Sequence, residues 1–176
     1  AVYTCSIELF LPSGKAIQGP DFHYDGENFA KAFDIQYLDK EGNKQYAHQN
    51  TFAITTRMIG VMIMMHGDDK GLVLPPKIAP TQVVIIPIYK KESKEQVLEE
   101  CKKIKEQLSD FRVFVDEEDL TPGRKFNIYE MKGVPIRVEI GPRDLENKQA
   151  VVARRDNGEK IPAVFCPVAD FFGYAY

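Results

Sequence analysis

The chain has 176 residues, 44% hydrophobic and 28% charged, with a formal net charge of -3; this is enough apolar material for a sizeable core and too much for a disordered segment. No apolar run approaches the ~20 residues that span a bilayer, and AVYTCSIELF has neither the basic start nor the small-residue cleavage pattern of a secretory leader, so a cytosolic protein with no membrane partner is expected. Cys5, Cys101 and Cys166 are too scattered for a disulfide framework and include no C-x-x-C pair, so they are read as incidental thiols, with no protein-bound zinc or other metal site.

In chain order, Cys5 to Leu11 reads as a strand, closed by Pro12-Ser13-Gly14. The stretch from Gly19 to Gly26, rich in turn formers, aromatics and acids, reads as a loop carrying His23, of the kind that often lines a site. Phe33 to Leu38, a turn over Asp39 to Asn43, and Lys44 to Gln49 form an antiparallel hairpin. Arg57 to His66 (RMIGVMIMMH) is apolar on nearly every side and is expected as a deeply buried helix. Arg57 at its entrance would then need an anion, a phosphate or a structural carboxylate. His66-Gly67-Asp68-Asp69-Lys70-Gly71 has no metal-ligand spacing and reads as a helix cap and turn. Pro75, Pro76 and Pro80 form a stiff connector, and a domain boundary is placed near Pro80.

Beyond it strands and helices alternate. Gln82 to Ile88 suits a strand covered on both faces. Ser93-Lys94-Glu95-Gln96 has the form of a capping box before a helix with the stripe Val97, Cys101, Ile104 and Leu108, and Arg112 to Val115 returns as a parallel strand. Thr121-Pro122-Gly123 reads as a turn and Lys125 to Met131 as a short helix. Val134 to Ile140 alternates, sending Val134, Ile136, Val138 and Ile140 to one face and Arg137 and Glu139 to the other. A turn over Gly141 to Asp144 and a strand over Gln149 to Arg154 complete a small α/β domain with a mixed sheet. Between Thr121 and Lys160 nine basic residues stand against six acidic ones, so this stretch is +3 in a chain of -3; a polyanion-facing region and a solvated face explain this equally. P-loop, dinucleotide-binding and serine-hydrolase signatures are absent from the sequence.

The string HQNTFAITTRMIGVMIMMHGDDKGLVLPPKIAPTQVVIIP, from His48 to Pro87, resembles the third signature motif of prolyl-tRNA synthetases and the link to their anticodon-binding domain. KAIQGPDFHYDGENFAKAFDI is similar to the family's segment beside the prolyl-adenylate pocket, and TPGRKFNIYEMKGVPIRVEIGPRDLENKQAVVARRD to its anticodon-binding domain. The resemblance implies an antiparallel-sheet class II catalytic portion at 1–80, an anticodon-binding domain at 81–162, and a remnant of a C-terminal extension at 163–176. It assigns Arg57 to the ATP phosphates, Thr55 and Gln18 to the nucleotide, and His23 to the proline pocket, with Arg57 and His23 as the catalytic pair. It also assigns Glu130, Arg137, Arg143, Asp144 and Lys160 to the anticodon. Implied ligands are ATP with Mg2+, proline and tRNA(Pro), in an enzyme that dimerises and joins proline to its tRNA. Glycyl, threonyl and histidyl synthetases share such an anticodon domain, and the strings around His23 and GVPIRVEIGPRDL favour the prolyl type.

The chain departs from the family where a threonine and serine become Asp21 and Phe22, and where a Trp-Gly pair becomes Phe52-Ala53. No stretch resembles motifs 1 and 2, so these residues alone are expected not to adenylate proline and to be a fragment or an interrupted chain. The alternative is a truncated, non-catalytic relative that binds tRNA or a protein.

Overall fold

The computed structural model describes residues 1–164, which form two compact units, Ala1–Met65 and the residues from His66 onward. Cys166 and most of the expected C-terminal remnant lie outside the described residues. Among those described, no helix is long and apolar enough to cross a membrane.

The first unit is built on a three-stranded antiparallel sheet of β1 (Tyr3–Phe10), β2 (Ala16–Gly26) and β5 (Gln49–Ala53), with β2 in the middle. Gly14, at φ 79, closes the β1–β2 turn. The Gly19–Gly26 segment is therefore a strand and not the expected loop. Pro20 is tolerated because β1 pairing breaks register between Ser6 and Glu8, and β5 pairing begins only at Asp21. A short helix α1 (Asn28–Ala32) leads to the expected hairpin, β3 (Gln36–Leu38) and β4 (Lys44–Tyr46), whose turn is held by Asp39 Oδ1 accepting from the Glu41 and Asn43 amides.

Helix α2 (Arg57–Met65) is not deeply buried, as its composition led us to expect. Val61 alone is buried, while Ile59, Ile63, Met64 and Met65 are exposed. The helix meets β2, where Gly19 leaves room for the Met58 sulfur, and its other sides find no cover within the unit. Arg57 is likewise exposed, which removes the argument that burial demands an anion for it.

The second unit opens with a small hairpin, β6 (Gly67–Asp68) and β7 (Gly71–Leu72), in place of a simple cap and turn. Its five-stranded mixed sheet has the order β12-β11-β10-β8-β9, made by β8 (Val83–Pro87), β9 (Val113–Val115), β10 (Ile136–Ile140), β11 (Gln149–Arg154) and β12 (Lys160–Val164). Strand β8 runs parallel to both β9 and β10, and β11 and β12 return antiparallel. β8 is buried along its length, as its unbroken apolar run requires. Val83 and Ile85 pack with Val97, Cys101 and Ile104 of α3 (Lys94–Gln107) on one face; Val84 and Ile86 pack with Tyr129 of α4 (Pro122–Met131) on the other. Each such fully buried Val or Ile contributes about 1.5–3 kcal/mol.

Several local expectations change in the second unit. Ser93 does not cap α3 through its side chain; its hydroxyl bonds to Lys90 N–H and C=O across a 3-10 turn at Lys91–Ser93. Val134 precedes β10 and joins the α4-side cluster, away from Ile136, Val138 and Ile140. The supposed turns at Pro122 and Pro142 are the first residues of α4 and of α5 (Pro142–Glu146). Strand β12 runs through the expected 162/163 boundary. The Pro75–Pro80 connector also belongs to this unit, because Arg112 donates to the carbonyls of Lys77 and Ala79 at 2.9 Å each and Gln82 Nε2 donates to that of Pro76 at 3.0 Å.

Candidate functional site

Alternation along β10 turns Arg137 and Glu139 to the face on which α4 lies, and the register sets Arg137 opposite Ala153 of β11 and Ala153 opposite Lys160 of β12. Lys160 therefore reaches across a small residue toward β10. Its Nζ lies 3.0 and 3.2 Å from the two Glu139 carboxylate oxygens. Arg137 donates through Nε to Glu139 at 3.0 Å and through Nη1 to Glu130 of α4 at 3.1 Å. The Phe126 ring underlies both cations, 4.3 Å from the Arg137 guanidinium carbon and 5.3 Å from Lys160 Nζ. Arg137 and Glu139 are buried, whereas the Lys160 side chain is 50% exposed and that of Glu130 28%. The rim thus offers one carboxylate and one ammonium group beside an uncovered stretch of β12, where Pro162 and Val164 also face solvent.

Arg143 and Asp144 occupy a different place. They line a recess of about 600 Å³ at the carboxyl ends of β8 and β10, with Tyr89, Lys90, Ser93 and Gly141. Chain direction diverges here, since β8 leads through α3 to β9 on one side while α4 leads to β10 on the other, an arrangement that opens a crevice at strand ends. Asp144 Oδ2 accepts the Gly141 N–H at 2.8 Å, so this carboxylate also starts α5.

Of the five expected anticodon residues, the fold brings Glu130, Arg137 and Lys160 together and sets Arg143 and Asp144 apart. Glu139 and Phe126 join the first group and Tyr89 lines the recess with the second, though none of the three was singled out from the sequence. For the first two a signal was present: Glu139 alternates onto the Arg137 face, and Phe126 stands four residues before Glu130 on one helix.

In the first unit, Gln18 and His23 converge on Asp21, and Arg57 reaches the Gln18 backbone. Gln18 Nε2 donates to Asp21 Oδ2 at 3.2 Å, His23 Nε2 lies 3.4 Å from the same oxygen, and Thr4 Oγ1 is 3.0 Å from His23 Nδ1. Arg57 Nη1 donates to the Gln18 carbonyl at 3.3 Å, and the Thr55 carbonyl accepts from Met58 at the start of α2. The exposed guanidinium has further donors for a phosphate, which suits a nucleotide. Asp21 Oδ1, by contrast, is buried without a hydrogen-bond partner among the described residues. Among the described residues no three His, Cys, Asp or Glu side chains gather as a group that could hold a metal ion. The two departures from the family pattern prove to be cross-strand partners, Asp21 opposite Ala53 and Phe22 opposite Phe52, with the two rings 4.8 Å apart.

A parallel β-helix-β core continued by antiparallel strands, with an acid-base cluster on its half-open face, makes the second unit a small α/β domain with a mixed sheet. The chain belongs to the anticodon binding domain family, whose model matches residues 82–171. It is 57% identical over 159 residues to the Proline--tRNA ligase of Ruminiclostridium cellulolyticum, covering 90% of this chain and 33% of that protein. It is 56% identical over 157 residues to the Proline--tRNA ligase of Lachnoclostridium phytofermentans, covering 89% and 32%, and 50% identical over 171 residues to that of Oceanobacillus iheyensis, covering 97% and 35%. The likeness to prolyl-tRNA synthetases is therefore shown, and it extends well beyond the anticodon-binding part. The chain spans about a third of the length of these relatives.

Proposed function

We propose that this chain is the portion of a prolyl-tRNA synthetase that reads the anticodon of tRNA(Pro) and contributes one edge of the ATP and proline site. The observation that carries the reading is the Glu130–Arg137–Glu139–Lys160 cluster, because a carboxylate and an ammonium held at the rim of an open sheet face suit base amino groups and phosphate. Arg137 acts in this reading chiefly by holding Glu130, since both of its engaged nitrogens are already bonded to carboxylates. Arg143 and Asp144 would meet a second nucleotide at the strand-end recess, with Tyr89 available for stacking.

In this reading the second unit carries the anticodon-binding domain, and residues 1–65 are the motif 3 end of a class II catalytic domain. Gln18 and Thr55 would face the nucleotide, Arg57 its phosphates and His23 the proline. ATP supplies the phosphoanhydride bond that activates the proline carboxylate, with Mg2+ on its phosphates. The open apolar side of α2 supports an edge that meets more protein, as expected of a cytoplasmic enzyme whose full form is a homodimer.

The test has two arms. A stem-loop bearing the proline anticodon should bind the chain more tightly than the same stem-loop with its anticodon guanines replaced. Proline-dependent exchange of labelled pyrophosphate into ATP should appear with the longest natural form of the protein and be absent with this chain alone. No exchange by either, with RNA discrimination retained, would favour a non-catalytic tRNA-binding relative, a reading to which the partnerless Asp21 oxygen lends weight. Equal binding of the two RNAs would remove the anticodon assignment.

A further inference from the structure

We infer that Glu139, seated with Phe126 beneath Arg137 and Lys160, is a positioning residue that fixes the geometry of the RNA-reading cluster; this rests on the anticodon reading of that site. Glu139 itself is buried, at 8% exposed. Its carboxylate takes one donor from each cation, Arg137 Nε at 3.0 Å and Lys160 Nζ at 3.0 Å. Lys and Arg carry the most rotamer freedom of any side chains, and two neighbouring cations repel one another. A carboxylate between them removes the repulsion and selects one rotamer of each. The Phe126 ring completes the seat from below, 4.3 Å and 5.3 Å from the two charges. Arg137 is then locked where its Nη1 holds Glu130, so both rim groups are set by the same buried carboxylate.

The arrangement makes two opposite predictions for one substitution. By field alone, deleting a negative charge next to a polyanion strengthens every RNA. By positioning, the same change frees Lys160 and loosens Glu130, so only the anticodon-dependent part of binding is lost. The Glu139→Gln substitution keeps the shape and one acceptor oxygen and removes the charge, which separates the two effects.

The experiment titrates the full chain, wild type and Glu139→Gln, with the proline-anticodon stem-loop and with the guanine-replaced stem-loop at one fixed salt concentration. The expected result is a fall in the affinity ratio of about tenfold, on the scale of losing one well-placed base contact, with the replaced stem-loop binding as tightly as before or more tightly. An unchanged ratio, or equal weakening of both RNAs, overturns the proposal. Should Glu139→Gln lose its fold by circular dichroism, Phe126→Leu, which keeps apolar packing and deletes the ring, is read by the same two criteria. A wild-type chain that does not distinguish the two RNAs fails before any substitution is made, which marks failure of the anticodon reading itself.

Discussion

Replacing the buried Lys125 by methionine should strongly destabilise the second unit, because it strands a buried carboxylate. The Lys125 and Asp116 side chains are only 3% and 2% exposed, with Nζ 3.2 Å from Asp116 Oδ1 and 2.8 Å from the Asp116 carbonyl. Asp116 also accepts the Glu118 N–H at 2.9 Å and bonds to the Tyr129 hydroxyl, whose pKa is raised first by burial and then by the Asp116 charge. In the Lys125→Met variant those neutral donors remain and the cation is gone. Breaking a buried pair from one side costs about 3–5 kcal/mol. A domain of this size has about 5–15 kcal/mol in all, and at ~4–8 °C per kcal/mol its midpoint should fall by more than ~10 °C. Thermal melting with hydrogen exchange at the β8 amides reads the loss in the correct unit. The double variant with Asp116→Asn should recover most of it, since the stranded charge is then absent. A single variant within ~1 kcal/mol of wild type, or a double variant that simply adds two losses, would refute the argument.

Gly71→Ala should unfasten the β6–β7 hairpin from α4: with φ at 132, a Cβ there would lie 2.4 Å from Met131 Cα, and the loss in a urea titration should reach at least ~2 kcal/mol. Asp68, held well below the usual carboxylate range first by its bond to Arg155 and then by the Lys70 amide, stabilises the fold above that range and ceases to as pH falls through its lowered value. The melting difference between wild type and Asp68→Asn should therefore be largest near neutrality and shrink in strong acid; a difference that grows on acidification would contradict the sign. Cys101, fully buried and with its pKa pushed up to about 12 chiefly by burial, should resist iodoacetamide at neutral pH while exposed Cys5 is alkylated, as peptide mass mapping would show. Labelling of Cys101 in the folded chain would refute its placement.

What was legible in the sequence follows from how local each signal is. The apolar run of β8, the stripe of α3 and the hairpin turn at Asp39 need only nearest neighbours or one helical period, and all three are present. β2 was hidden because two glycines and a proline mark a loop unless the partners are known, and its partners lie on either side in sequence. The exposure of α2 was unreadable for the opposite reason: composition says that an apolar helix needs cover but not that its own unit supplies it. Pro122 and Pro142 were taken as turn residues although proline at the first helical position is equally at home. At the site, the family resemblance pointed to Glu130, Arg137 and Lys160 one by one. Only the register across Ala153 shows that they converge on Glu139.

The same register alters the meaning of the basic excess between Thr121 and Lys160. Charge counting makes that stretch look like a footprint for a polyanion, yet five of its nine basic residues stand in internal pairs: Lys125 faces Asp116, Arg137 faces Glu130 and Glu139, Arg154 faces Asp156, Arg155 faces Asp68, and Lys160 faces Glu139. Cations spent in internal pairs contribute little long-range field, so these five would add little to a general attraction for a polyanion. What they supply is fixed geometry, with carboxylates and ammonium groups held in definite places on an open sheet face. A surface built in this way would favour discrimination among RNAs over indiscriminate affinity, as the anticodon reading proposed above requires, since every tRNA presents the same phosphate backbone and differs in a few bases.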